Sequence, residues 1–447
     1  MKVLLISPNT LTVPYPVYPI GLDYVAGALS PRHQVQIADL NILDLNALAK
    51  LLTDFTPDII GLSIRNIDNT EAGTPLFFIS EHKKLVDWLR TRCKAPIVGG
   101  GAGFTILPRD IFDALTLDYG IIGEGERFTQ LLDALENNQS VTAIPGLIAN
   151  SLCSTPAVPW TGTPKRQTAE NGHTRFYLDH GGMLNLQTKR GCSFRCIYCP
   201  YPHIEGNKHR LIDPDDIARM ALGLQENGAK YIFITDSAFN SDIVHSIRVA
   251  EAFKKHKVSI PWGGFFAPIK LPADYFTIMK ECGLKHVEFG TESLSKTMLH
   301  NYRKPFAPKD VITAHRQAVD AGLHAAHYFL LGGPGETTDT VNETLDTIED
   351  LEKTALFFFT GIRIYPHTGL YDIALNEGKI TKETSLLQPF YYESDAISHK
   401  MIEEQVIERS RERINWIVGS GGSESAATVA KMHKRGFIGP LWEFLIR

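Results

Sequence analysis

Three of the chain's 6 cysteines, Cys192, Cys196 and Cys199, fall within eight positions in KRGCSFRCIYCPYP, which runs from Lys189 to Pro202. Three thiolates so closely spaced on one loop can bind zinc, an iron–sulfur cluster, or nothing. Structural zinc takes four protein ligands in a closed tetrahedron, and His203, four positions after Cys199, could complete a Cys3His set. A [4Fe–4S] cluster normally takes four cysteines. Held by three, it keeps one iron open to a substrate or cofactor, and an open position marks a metal centre that does chemistry. Cys93, Cys153 and Cys282 stand alone, so a disulfide framework is not expected and each reads as packing.

The elements that must position this loop follow from the hydrophobic pattern. From Met183 onward, apolar runs at 184–188, 231–235, 261–265, 286–289, 325–331 and 360–364 read as strands. Helical stretches at 214–226, 241–255, 274–282 and 308–321 lie between them. Six βα units predict a partial α/β barrel, since the full barrel needs eight. The cysteines come directly after the first strand, at the strand end where barrel chemistry resides. His324 and His327 sit at odd spacing on one strand, so only one of them faces the interior, and Tyr328 faces opposite to His327.

The first 125 residues show a separate alternation of five short apolar strands with helices, which predicts a doubly wound parallel sheet. Ligands of such sheets sit outside the carboxyl ends of the strands. Those ends read Ser7-Pro8-Asn9, Asp39-Leu40-Asn41, Ser63-Ile64-Arg65-Asn66, Gly99-Gly100-Gly101-Ala102-Gly103 and Gly123-Glu124-Gly125-Glu126. Glycines there would let a bulky ligand approach the backbone. The dinucleotide fingerprint is missing after the first strand, and no P-loop is present.

Pro145, Pro156, Pro159 and Pro164 mark 141–183 as an extended linker. The tail, 376–447, has a mostly helical pattern, with an amphipathic stretch at 401–418. Its apolar end, FIGPLWEFLIR, is too short to span a membrane and reads as a segment packed on the barrel. A net charge of −5 gives no reason to expect nucleic acid as a partner. With no signal-peptide core and no membrane-length apolar run, the expected location is the cytoplasm.

Cys-x3-Cys-x2-Cys, with Tyr198 just before the last cysteine, resembles the radical S-adenosylmethionine (SAM) superfamily. Later strand ends carry further matches: Asp236 and Asn240 in FITDSAFN, Gly290, Glu292 and Ser293 in VEFGTES, Gly332 to Gly335 in YFLLGGPGET, and IRIYPHTGLYDIA with His367 in place of a glycine. The resemblance implies a [4Fe–4S] cluster on Cys192, Cys196 and Cys199. It also implies SAM contacts from Tyr198, Asp236, Ser237, Glu292, Gly333, Arg363 and Tyr365. In that family the open iron binds SAM, whose reductive cleavage gives a 5′-deoxyadenosyl radical that abstracts hydrogen from an unactivated carbon.

The first 135 residues resemble the cobalamin-binding domain joined to such barrels, through KVLLISPN, PIGLDYVA, VQIADLN, PDIIGLSI, VGGGAG and GIIGEGE. The implied cobalamin contacts are Asn9, Asn41, Ser63, Arg65, Asn66, Gly99, Gly100, Gly101, Gly103, Gly123, Glu124, Gly125 and Glu126. No Asp-x-His-x-x-Gly follows the first strand, so no histidine is expected under the cobalt, and Arg65 or Asn66 could lie there.

The expected organisation is therefore a Rossmann-like cobalamin-binding domain (1–140), the linker, a (β/α)6 radical SAM barrel (184–375) and a C-terminal helical cap. The expected reaction is C-methylation of a small molecule, with flavodoxin or ferredoxin as electron donor. The alternative is cobalamin-dependent radical cyclisation, rearrangement or desaturation. The N-terminal stretch also resembles a subgroup associated with lipid biosynthesis, which makes a lipid one candidate substrate.

Overall fold

KVLLIS carries five apolar or small residues that need cover on both faces, and it becomes an interior strand, β1 (Lys2–Ser7), with Val3 to Ile6 buried. The computed structural model describes residues 1–149, 152–153, 159–160, 162, 164–166 and 172–446. Beside β1 run β2 (Gln34–Asp39) and β3 (Ile59–Ser63), followed by β4 (Ile97–Gly100) and β5 (Tyr119–Ile121), all parallel. Helices Ile20–Ala28, Leu45–Phe55, Ile79–Arg90, Pro108–Leu115 and Phe128–Glu136 connect the strands and cover the sheet. This is the doubly wound sheet that the alternation predicts.

The sheet then extends into the region read as a linker. β6 (Leu147–Ala149) pairs antiparallel with β5, and β7 (Leu152–Cys153) with β6. Leu147, Ile148 and Ala149 are buried, so apolar content outweighed the nearby prolines. Gly172–Asp179 is helical. Pro156 and the side chain of Cys153 lie outside the described residues.

The second sheet is parallel throughout: β8 (Met183–Leu186), β9 (Tyr231–Ile234), β10 (Trp262–Phe266), β11 (Leu284–Glu292), β12 (His324–Leu331) and β13 (Thr354–Thr360). The sixth strand thus lies earlier than the expected 360–364. TALFFFT supplies the apolar run, and Gly361, at φ +83°, turns the chain out of it. A seventh parallel strand, β14 (Trp416–Val418), pairs with β13. The tail is therefore not wholly helical: the helix expected through 418 ends at Ser410, where Arg411 takes a left-handed φ of +46°.

Alternation along β12 turns His327 outward, where its ring nitrogens meet Thr291 Oγ1 at 2.7 Å and His315 Nδ1 at 3.0 Å. Tyr328 points into the barrel. The apolar tail end enters the barrel from the N-terminal ends of the strands. Trp442 is buried there with Ala326 and Ala355. One apolar cluster runs from Leu62, Ile64 and Phe104 of the first sheet to Ile197, Met298 and Tyr302 around the cysteine loop, so the two sheets share a continuous core.

Candidate active site

The cysteine loop is clamped on several sides before any cofactor is considered. Lys189, 1% exposed, donates through Nζ to Asp236 Oδ2 at 2.9 Å and to the Ala238 and Phe239 carbonyls. Arg190 reaches back to the first sheet, with Nη1 2.8 Å from Glu124 Oε1 and Nη2 2.6 Å from Glu126 Oε1. Gly191 then turns at φ +84°; a Cβ there would lie 2.1 Å from the Lys208 carbonyl, so only glycine fits. Cys192 N donates to Gly206 O, Ile197 N to Tyr302 O, and Leu370 N to Ile197 O.

Cys192 is buried, and Cys196 and Cys199 are half-buried, all as free thiols. Burial pushes the Cys196 thiol up and the Cys199 thiol up to about 12, so protein groups alone do not hold them as thiolates. A cationic metal centre would supply that missing charge. His203 stacks on His367 at 4.3 Å between ring centroids. With His203 engaged in that stack, the donors are the three thiols, which fits an iron–sulfur cluster better than a closed Cys3His zinc site.

Beside the thiols, Tyr198 Oη donates to Glu292 Oε1 at 2.8 Å, and Lys304 Nζ lies 2.8 Å from Glu292 Oε2. Glu292 holds a left-handed φ of +59° at the end of β11, a strained conformation typical of functional positions. Of the other expected SAM contacts, Gly333 packs against Tyr302, to whose hydroxyl its N–H donates at 3.2 Å. Tyr365 lies under the Arg363 guanidinium at 4.9 Å. Ser237 follows the Asp236 turn and is half-buried.

Two of the expected residues have their side chains engaged within the protein. The Asp236 carboxylate is 3% exposed and accepts from Lys189 and from the Thr188 N–H and hydroxyl, so it braces the loop. Arg363 is spent on Asp68 and on the carbonyls of Ile364 and Leu386. Asn240 is likewise tied by both side-chain atoms to the Ala267 backbone. Lys304 and Arg190 were not singled out from sequence, because a lone basic residue beside an aromatic or a glycine carries no distinctive spacing.

A cavity of about 330 Å³ opens at the strand ends of the first sheet and faces the barrel. Asn9, Ser63, Arg65, Gly99, Gly100, Gly101, Gly123, Glu124, Gly125 and Glu126 line it, together with Asn185, Gln187, Thr235 and Tyr201 from the barrel side. Asn41, Asn66 and Gly103 do not. Asn41 donates to Tyr177 Oη, and Asn66 accepts from Arg65 Nε at 3.0 Å. At Gly101 and Gly103 an added Cβ would strike the Ile64 and Arg65 carbonyls at 2.7 and 2.9 Å, so these glycines serve the packing of the turn on β3. Glu124 and Glu126 are ion-paired to Arg190, and Glu124 also to Arg210. The cavity lining contains no histidine. The Tyr24 hydroxyl, buried at the cavity, has no hydrogen-bond partner among the described residues, which suits a bound polar ligand.

Comparison with known proteins gives the same division. Residues 186–348 match the Radical SAM superfamily and residues 6–132 the B12 binding domain. The chain belongs to the cobalamin-binding radical SAM enzymes, whose cofactors are a [4Fe–4S] cluster, SAM and cobalamin. It is 24% identical to a tryptophan 2-C-methyltransferase of Streptomyces laurentii, over 82% of this chain and 73% of that one. It is 23% identical to a cytidylyl-2-hydroxyethylphosphonate methyltransferase of Streptomyces wedmorensis, over 87% and 84%. The fold superposes on the radical SAM methyltransferase TsrM of Kitasatospora setae, a structure with tryptophan and a SAM analog bound. The TM-score is 0.88 at 20% identity, over 99% of this chain and 97% of that one.

Proposed function

We propose that the chain transfers a methyl group to an unactivated carbon of a small molecule. The observation that carries this reading is the cavity shared by the two halves: the strand ends of the B12-binding fold open directly onto the end of β8 that carries the cysteine loop. Methyltransferase relatives matched over both halves support it. When bound, the cluster supplies an electron to SAM and cobalamin carries a methyl group.

The chain's own part is placement and exclusion of water. Cys192, Cys196 and Cys199 would hold the cluster. Glu292, fixed by Tyr198 and Lys304, presents polar atoms next to it for SAM. Asn9, Ser63, Arg65 and the Gly99–Gly101 backbone would hold cobalamin. Arg190, pinned by Glu124 and Glu126, keeps the two binding regions in register. An external flavodoxin or ferredoxin would supply the electron.

The test is anaerobic incubation of the reconstituted enzyme with SAM, cobalamin, a reductant and a small-molecule extract, followed by mass spectrometry. A product heavier by one methylene, formed with S-adenosylhomocysteine, is expected. Loss of hydrogens without methyl gain would move the assignment to cyclisation or desaturation. For the location, the relevant observation is that, among the described residues, no helix is long and apolar enough to cross a membrane.

A further inference from the structure

The inner face of the barrel is aromatic and incompletely filled. Phe265 projects inward from β10, opposite the fully packed Phe266, yet is 39% exposed. Its ring makes edge contacts with Phe233 at 5.3 Å and Tyr328 at 6.1 Å. Tyr328 stacks on Phe357 at 4.8 Å with 9° between planes, and Phe359 continues the stack at 6.4 Å. Tyr328, Phe357 and Phe359 are half-buried, and Tyr15 of the N-terminal segment packs on the wall formed by Met183, Tyr231 and Phe233.

Below the rings lies Glu288, 1% exposed, which accepts from Tyr328 Oη at 2.8 Å and from Trp442 Nε1 at 3.0 Å. Burial pushes its carboxyl up to about 7. Trp442 fills a gap that the strands leave by carrying Ala326 and Ala355 at that level. No lysine or arginine stands at an inward position of β8 to β13 above Trp442; at the rim, Gln187 and Thr235 are neutral and the Arg190 guanidinium is already paired with Glu124 and Glu126.

Resting on the radical SAM reading above, we propose that this lumen is the substrate chamber, that it admits an aromatic ring without negative charge, and that Trp442 sets its depth. Ring faces carry negative electrostatic potential, so stacked and edge contacts suit a second ring and its attached cation. An anionic group would be desolvated here with no basic partner and with Glu288 beneath it. Glu288 is a positioning residue: it fixes the Tyr328 ring from below through the phenol.

The test is calorimetric binding to the cluster- and cobalamin-loaded enzyme, without turnover. Four probes separate the contributions: 2-phenylethylamine, 2-phenylethanol, phenylacetate and hexylamine. The phenyl amine and alcohol are expected to bind, with phenylacetate and hexylamine each about tenfold weaker than the amine. Phe265→Leu should weaken the ring probes and leave hexylamine unchanged. Trp442→Ala should shift preference from 2-phenylethylamine to 4-phenylbutylamine, and Trp442→Phe, which retains a plug, should shift it less. Phenylacetate binding as tightly as the amine, or no ring probe binding at millimolar concentration, overturns the chamber. An unchanged chain-length preference in both Trp442 variants overturns the floor. Because no turnover is measured, a protein that binds the amine but forms neither deoxyadenosine nor S-adenosylhomocysteine would refute the reaction and leave the chamber intact. One that turns SAM over yet prefers the anion would do the reverse.

Discussion

Asp68, in the loop after β3, and Arg363, just past β13, form an ion pair of 2.8 Å with side chains 0% and 3% exposed. The pair is 295 positions apart in sequence and joins the first sheet to the barrel. Asp68→Ala would leave a buried guanidinium without its counterion, a loss of about 3–5 kcal/mol. Urea unfolding should show that drop, with Asp68→Asn less affected because it keeps an acceptor. Unchanged midpoints in Asp68→Ala would mean the pair does not hold the two halves together.

Asp236 offers a sharper discrimination. If it braces Lys189, Asp236→Ala lowers stability by about 3–5 kcal/mol, while SAM affinity of the folded fraction stays close to wild type. A hundredfold weaker SAM affinity at unchanged stability would return Asp236 to the SAM-contact set.

Replacing Cys192, Cys196 and Cys199 by alanine should abolish iron binding and deoxyadenosine formation. Cobalamin should remain bound, because its candidate cavity is built from other residues. Iron analysis, product chromatography and the cobalamin absorption spectrum read the three quantities separately. Deoxyadenosine from the triple variant would refute the assignment.

Glu288 makes stability depend on pH in a stated direction. Burial raises its folded-state value to about 7, above the ordinary 4.5, so between these limits the folded chain binds more protons than the unfolded one. Stability attributable to this group therefore falls as pH rises from about 4.5 to 7, by about 3 kcal/mol at most. Glu288→Gln should remove that slope and be the more stable protein at pH 8. Parallel urea titrations of both proteins across this range check it; identical slopes would place the Glu288 titration elsewhere.

The histidine-free cavity carries a spectroscopic prediction. Electron paramagnetic resonance of the Co(II) form should show no superhyperfine splitting from a histidine nitrogen, and its appearance would contradict the proposed environment around Arg65.

Much of the frame could be read from residues alone. Runs such as YIFI and KVLLIS have one physical solution, a strand covered on both faces, and they formed β9 and β1. The three cysteines stand out in the sequence because metal ligation imposes spacing, and their role as cluster ligands is part of the proposal. What escaped was set by long-range pairing. Nothing local distinguishes the Asp236 carboxylate as the partner of Lys189, or Arg363 as the partner of Asp68; a charge at a strand end fits a ligand contact and a buried ion pair alike. The strand Trp416–Val418 was read as helix because three residues between turns carry too little periodicity to outweigh the pattern before them.

Trp442 also bears on the order of biosynthesis. It is made after all six barrel strands it sits among, following the long stretch from Gly361 onward. At about 5–20 residues per second, the strands spend several seconds without their plug during translation. In that interval Glu288 lacks the indole N–H that it accepts from in the folded chain. Final closure of the barrel is thus a late event in the life of the nascent chain, and cofactor loading that requires a sealed interior must wait for it.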